Sequence, residues 1–192
     1  MMLAVVVTVM SLVALAQPAR AADTWEVDPA HTSVMFKIRH FNVSWVWGRF
    51  DKLSGKVSLD STDAGKSSFD LSVDTASVNT GVDARDAHLR KPEFFNVDKF
   101  PAITFKSTRV AKSAGGYDVT GDLTLLGVTK PVTVQIAQTG PLNDPKGNPR
   151  AGFDTTFTVK RSEFGMTYGQ GAIGDEVTLT ISFEVVPPKK GE

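Results

Sequence analysis

Residues 83–105, DARDAHLRKPEFFNVDKFPAITF, set two chemistries side by side. Arg85, Asp86, His88, Arg90 and Lys91 come first, and Phe94, Phe95, Phe100 and Phe105 follow. A histidine near a carboxylate and two guanidinium groups has the parts of an acid/base centre or of an anion clamp. The phenyl rings behind it suit the mouth of an apolar cavity. Partners elsewhere in the chain must decide between catalysis and binding.

Such partners are scarce. The other two histidines are His31, which follows Asp28-Pro29 in a turn, and His40, which ends a strand. No H-x-x-x-H or H-E-x-x-H spacing links the three, so a metal site has no local support. Asp86 and His88, two apart on a helix, do not face each other. No G-x-S-x-G elbow holds a serine nucleophile. The glycine cluster GMTYGQGAIG at 165–174 contains no serine and does not match a phosphate-binding loop. It reads as a mobile loop between two strands, with a lid over a cavity as the functional alternative. Asp74, Asp83, Asp86, Asp98, Asp154, Glu163 and Asp175 are scattered through turns and nominate no glycosidase-like pair. The absence of cysteine excludes disulfides, thiolate nucleophiles and Cys-ligated zinc. With 21 acidic and 21 basic residues, no basic field points to nucleic acid.

The aromatics carry more information. Trp45, Trp47 and Phe50 follow a strand bearing Phe36 and Phe41, and Phe94, Phe95 and Phe100 follow the charged stretch. Two aromatic clusters at strand ends suit a cavity mouth, although each ring alone could equally be ordinary core.

Period-two alternation dominates the elements that must position these groups. Val34, Phe36 and Ile38 share one face; Phe69, Leu71 and Val73 repeat the pattern, as do Ile103 and Phe105. Tyr117, Val119, Leu123 and Leu125 follow, with Gly121 at a bend, then Val132, Val134 and Ile136, then Phe153, Phe157 and Val159. Val177, Leu179, Ile181, Phe183 and Val185 form the cleanest run, with Thr178, Thr180, Ser182 and Glu184 between them. Turn signals such as KSAGG and LGVTKP separate the runs. Residues 49–59 alternate poorly, and a bulge would bring Phe50 into phase with Leu53, Val57 and Leu59. Only two stretches look non-β. One is a short helix at the charged segment, with Asp83 capping the amide of Asp86 and Pro92 stopping it. The other, NVSWVWG at 42–48, reads as an aromatic loop or short helical turn. Eight to ten short strands are enough for an antiparallel sheet to close on itself. The polar second face, rich in Lys, Thr, Asp and Ser, argues against a transmembrane barrel.

The N-terminus carries the apolar run Met2–Ala16 and then Ala19-Arg20-Ala21. This reads as a secretory signal peptide over residues 1–22, although no Lys or Arg precedes the apolar run, and a retained anchor is the alternative. It implies export to the periplasm and a single mature domain at 23–192.

WEVDPAHTSVMFKIRH, GRFDKLSGKV, NTGVDARDAHLRKPEFFNVDKFPAITFKS, VTGDLTLLGVTKPV and RSEFGM…IGDEVTLTISFEV occur in this order. In them the chain resembles the YceI-like family of polyisoprenoid-binding, lipocalin-like proteins, from about Thr24 to Val186. Thr32 looks inserted in the first fragment, which leaves the turn there open. The resemblance implies an all-β, antiparallel lipocalin-like barrel of about eight strands, with one short helix near its mouth. It implies non-catalytic binding of a polyisoprenoid or isoprenoid-quinone lipid, for storage, protection or transport, with no cofactor, metal or nucleic acid. On this reading Phe36, Ile38, Phe41, Trp45, Trp47, Phe50, Phe94, Phe95, Phe105, Phe164 and Met166 line the cavity wall. His40, Arg85, His88 and Arg90 meet the head group at the rim. The alternative is an enzyme acting on such a lipid, with His88 or His40 as acid/base. Transient membrane contact and a homodimer stay open.

Overall fold

The computed structural model describes residues 22–188, so the segment read as a signal peptide lies outside the described residues but for Ala22. The strands are β1 (Asp23–His40), β2 (Ser44–Phe50), β3 (Leu53–Leu59), β4 (Ser68–Asp74), β5 (Val78–Asn79), β6 (Ala102–Ser113), β7 (Gly116–Leu125), β8 (Val128–Asn143), β9 (Pro149–Lys160) and β10 (Ile173–Val186). One helix, α1 (Asp83–Leu89), lies between β5 and β6. The sheet runs β10-β9-β8-β7-β6-β4-β3-β1, and a β10–β1 ladder closes it into an eight-stranded barrel. Every ladder is antiparallel. The fold class is the one expected, with two extra strands attached.

Those extra strands exist because β1 is long. Its first residues, Asp23–Glu26, pair with β3, while Val34–His40 pair with β2 on the same edge. β5 then extends β2 through Arg49 and Phe50. Residues 42–48 are therefore neither a loop nor a helical turn; all but the first two belong to β2. Its inward positions are Val46, Gly48 and Phe50, and its two tryptophans point outward. The phase break near Phe50 is not a bulge either. The chain leaves β2 at Asp51 and Lys52 and enters a different strand. A true irregularity lies earlier: β1 shifts register against β10 between Val27, which pairs with Val185, and Thr32, which pairs with Phe183.

Alternation sorts the two faces. Val34 and Phe36 of β1 and Phe183 and Val185 of β10 are buried in the interior. Outside, hydroxyls meet across strands, Thr156 on Thr180, Thr158 on Thr178 and Thr120 on Thr133. The β7–β8 hairpin turns through Leu126 and Gly127, both at positive φ, as a two-residue turn matched to strand twist requires. Gly121 lies within β7 opposite a register shift of β6 between Ser107 and Arg109. The Phe105 ring occupies the place of its missing side chain, since a Cβ there would fall 2.5 Å from Phe105 Cζ.

The interior is filled at one end only. Phe69 meets Phe153 edge-on at 5.4 Å and Tyr117 at 6.1 Å, and Phe153 stacks on Phe183 at 5.3 Å. Trp25, Val57, Val119 and Val185 complete this dry layer. Toward the opposite end, where β1 gives way to β2 and β9 to β10, the walls stay apart.

Candidate functional site: an apolar cavity under a polar mouth

The space above the aromatic floor is a cavity of about 370 Å³. Its walls come from inward positions of nearly every strand: Val34, Phe36 and Ile38; Leu71 and Val73; Ile103 and Phe105; Leu123 and Leu125; Phe157 and Val159; Val177, Leu179 and Ile181. Polar side chains enter at the mouth, through Arg39, His40, Thr80, Arg85, His88, Arg161 and Tyr168, with Thr155, on the inward register of β9 opposite Ile181, the exception in the wall. Such a tube suits a ligand with a long apolar body and one polar end.

α1 and the residues after it form one side of the mouth. Asp83 is not the cap: Val82 holds that position, and its carbonyl accepts from the amides of Arg85 and Asp86. Asp86 is instead the buried anchor of the helix. Its carboxylate accepts from the Thr80 amide at 2.9 Å and the Thr80 hydroxyl at 2.5 Å. Arg85 reinforces the same joint, donating to Thr80 Oγ1 at 2.7 Å and to the Thr80 carbonyl at 3.0 Å. Arg90 donates to the carbonyls of Ala76 and Val78, at 2.8 and 2.7 Å. It does not line the cavity; it staples the end of the helix to β5 and to the turn before it, which corrects its expected place at the rim.

His88 has a carboxylate partner after all. Its Nε2 lies 3.1 Å from Glu93 Oε1, five residues on and past the helix end, where helix spacing gives no guidance. The Glu93 carboxyl is held below its ordinary value by its own backbone amide first and by His88 next, against the cost of desolvation. His88, Phe94 and Tyr168 pack edge-on around one point, at 5.0, 5.5 and 5.2 Å between centroids. This trio joins the α1 side of the mouth to the glycine-rich turn opposite.

That turn is not a loose loop. Arg161 is 2% exposed, and its guanidinium donates to four carbonyls, those of Gly174, Met166, Tyr168 and Ile173, at 2.8–3.1 Å. Burial lowers the proton affinity of this guanidinium and the nearby Asp175 charge opposes the effect. Asp175 in turn accepts from the amide and hydroxyl of Ser162. The sequence assigned Arg161 no role, because an arginine at a strand end gives no sign that it turns inward.

Of the residues expected to form the wall, Phe36, Ile38, Phe50, Phe94, Phe95, Phe105 and Met166 line the cavity, as do His40, Arg85 and His88 of the expected rim. Four do not. Phe164 is buried beside Leu123 and Leu125. Phe41 sits in the β1–β2 turn at positive φ and is 61% exposed. Trp45 and Trp47 lie on the outer face of β2, because the residues that alternate inward are their neighbours.

His31 lies at the packed end, far along β1. It contacts Asp28 at 2.9 Å, and Arg150 donates to both Asp28 and Glu184. Asp28, His31 and Glu184 bring metal-ligand types together, but the Arg150 guanidinium already supplies positive charge there.

Known proteins share this architecture. The family described as YceI-like domain matches residues 25–185. A UPF0312 protein of Yersinia enterocolitica is 41% identical over 184 residues, covering 95% of both chains. One of Pectobacterium carotovorum is 39% identical, again over 95% of both. Among solved structures, BcnA of Burkholderia cenocepacia superposes with a TM-score of 0.74 at 26% identity, covering 82% of this chain and 98% of its own. A polyisoprenoid binding domain from Saccharophagus degradans, implicated in plant cell wall breakdown, shares the fold at TM-score 0.65 and 20% identity, over 88% of this chain and all of its own.

Proposed function

The chain belongs to the YceI-like family, and from that premise we propose that it is a non-catalytic carrier of a polyisoprenoid or isoprenoid-quinone lipid, exported to the periplasm. One observation carries this reading: a closed barrel, packed dry at one end, keeps a nearly all-apolar tube at the other and confines its charges to the mouth. Each CH₂ moved from water into such a tube contributes roughly 0.8 kcal/mol. A few isoprene units would therefore hold without any specific polar contact. The Saccharophagus domain, described as polyisoprenoid binding, supports the choice of lipid class.

His40 and His88 lie at the rim and the walls below them are apolar, which favours holding a lipid over transforming it. Native mass spectrometry of protein purified from its own periplasm, followed by lipid extraction, tests the reading. A co-purifying prenyl lipid, retained unmodified by wild type, His40→Gln and His88→Gln alike, is the expected result. A modified lipid that disappears in one histidine variant would replace the carrier with an enzyme.

A further inference from the structure

Seven large hydrophobic side chains stand exposed among the described residues, and five of them, Phe41, Val43, Trp45, Trp47 and Tyr168, belong to β2 and to the two turns beside the cavity mouth. Phe41 and Val43 form the tip of the β1–β2 turn, and Trp45 and Trp47 lie just below it on the outer face of β2. Tyr168 projects from the neighbouring turn. The two turns are tied together, since the Phe41 amide donates to the Ala172 carbonyl at 2.6 Å. An aromatic surface of this kind costs solubility unless something covers it.

Its charge says what covers it. Lys37 Nζ lies over both indoles, 4.9 Å from the Trp45 ring and 5.5 Å from Trp47, and the Arg39 guanidinium lies 4.1 Å from Trp45. Neither cation makes a carboxylate ion pair among the described residues. Indole and phenyl groups with unneutralised cations beside them have the chemistry of side chains that settle at the headgroup level of a bilayer. Anionic headgroups complement that charge. The patch adjoins the opening through which a lipid must pass: the His40 ring lines the cavity and packs 4.4 Å from Phe41.

We propose that this face, Phe41, Val43, Trp45, Trp47 and Lys37, docks the barrel mouth-first onto an anionic lipid bilayer. The proposal rests on the carrier reading, because docking there lets a prenyl chain move between bilayer and cavity without crossing water.

The test uses vesicles of phosphatidylcholine alone and with phosphatidylglycerol, some carrying brominated acyl chains. The wild-type chain is expected to float with the anionic vesicles, and bromine to quench its tryptophan emission. Trp45 and Trp47 account for that quenching, since Trp25 is buried at the packed end. Trp45→Ser with Trp47→Ser should weaken vesicle binding on the order of tenfold or more. Lys37→Glu should abolish the preference for phosphatidylglycerol. Retention of a prenyl lipid, measured without vesicles, should be unchanged in both variants; its absence in wild type would defeat the carrier reading and leave docking to be judged from flotation. Failure of wild type to float, or flotation without quenching, would overturn the docking proposal. So would a dimer in solution that the tryptophan substitutions dissociate, which would make a second copy the occupant of the face.

Discussion

At the scale of single residues, similar side chains in the charged stretch have different tasks. Phe95 lines the cavity and packs edge-on against Phe50 at 5.3 Å. Phe95→Asp puts a charge into a dry wall and should abolish retention of every prenyl lipid, charged or neutral. Arg85 reaches the cavity, so Arg85→Ala should weaken only lipids with an anionic head; equal losses for both kinds would remove it from head-group recognition. Arg90 spends its donors on the carbonyls of Ala76 and Val78, so Arg90→Ala should lower stability by about 1–3 kcal/mol and leave lipid affinity alone. Denaturant titration beside lipid retention separates the two. Far from the mouth, Arg150 first and His31 next hold the Asp28 carboxyl down at about 2, from an ordinary 3.8. The folded value is the lower one, so this contribution is complete above about pH 4 and is lost as pH falls through about 2. Asp28→Asn should therefore destabilise the protein at neutral pH and flatten its stability profile between pH 4 and 2, as read by urea titration at each pH.

At the scale of elements, the mouth depends on a turn fastened by one buried arginine. Arg161→Ala would orphan four carbonyls around residues 166–174, and a lysine has too few donors in the wrong geometry to replace the planar fork. Both variants should lose about 3 kcal/mol or more, with faster amide exchange concentrated in residues 165–174. Uniform acceleration across the barrel would mean that the arginine stabilises the fold as a whole and not this turn. The strands themselves were legible because alternation is a local signal. β10, with Val177, Leu179, Ile181, Phe183 and Val185 inward and threonines outward, could be read directly. β2 could not. It alternates as strictly, but it puts its indoles outside and Val46 and Gly48 inside, so the larger hydrophobes marked the wrong face. The bond between His88 and Glu93, and the inward turn of Arg161, depend on where the chain goes after an element ends. Sequence spacing carries no information about that.

At the scale of the molecule, the barrel is divided into a packed half and an empty half, and the boundary between them sets what the cavity accepts. Phe183 belongs to both: it lines the cavity and stacks on Phe153 at 5.3 Å, with Phe69 edge-on behind. Removing its ring would extend the tube toward Trp25 and Val185 without touching the mouth. Phe183→Ala should cost about 3–5 kcal/mol in the empty protein, the usual range for deleting a buried phenyl group. A bound chain that fills the new space would recover part of that loss, because a ligand that binds only the folded state raises its stability with concentration. Wild type should be stabilised most by prenyl chains that end at the aromatic floor and gain nothing from longer ones. The variant should shift that optimum to chains longer by one or more isoprene units. Thermal unfolding of both proteins across a series of prenyl alcohols of increasing length measures the shift. An unchanged length optimum in a folded Phe183→Ala protein would mean that the tail does not reach the floor, and that the lipid is held near the mouth alone.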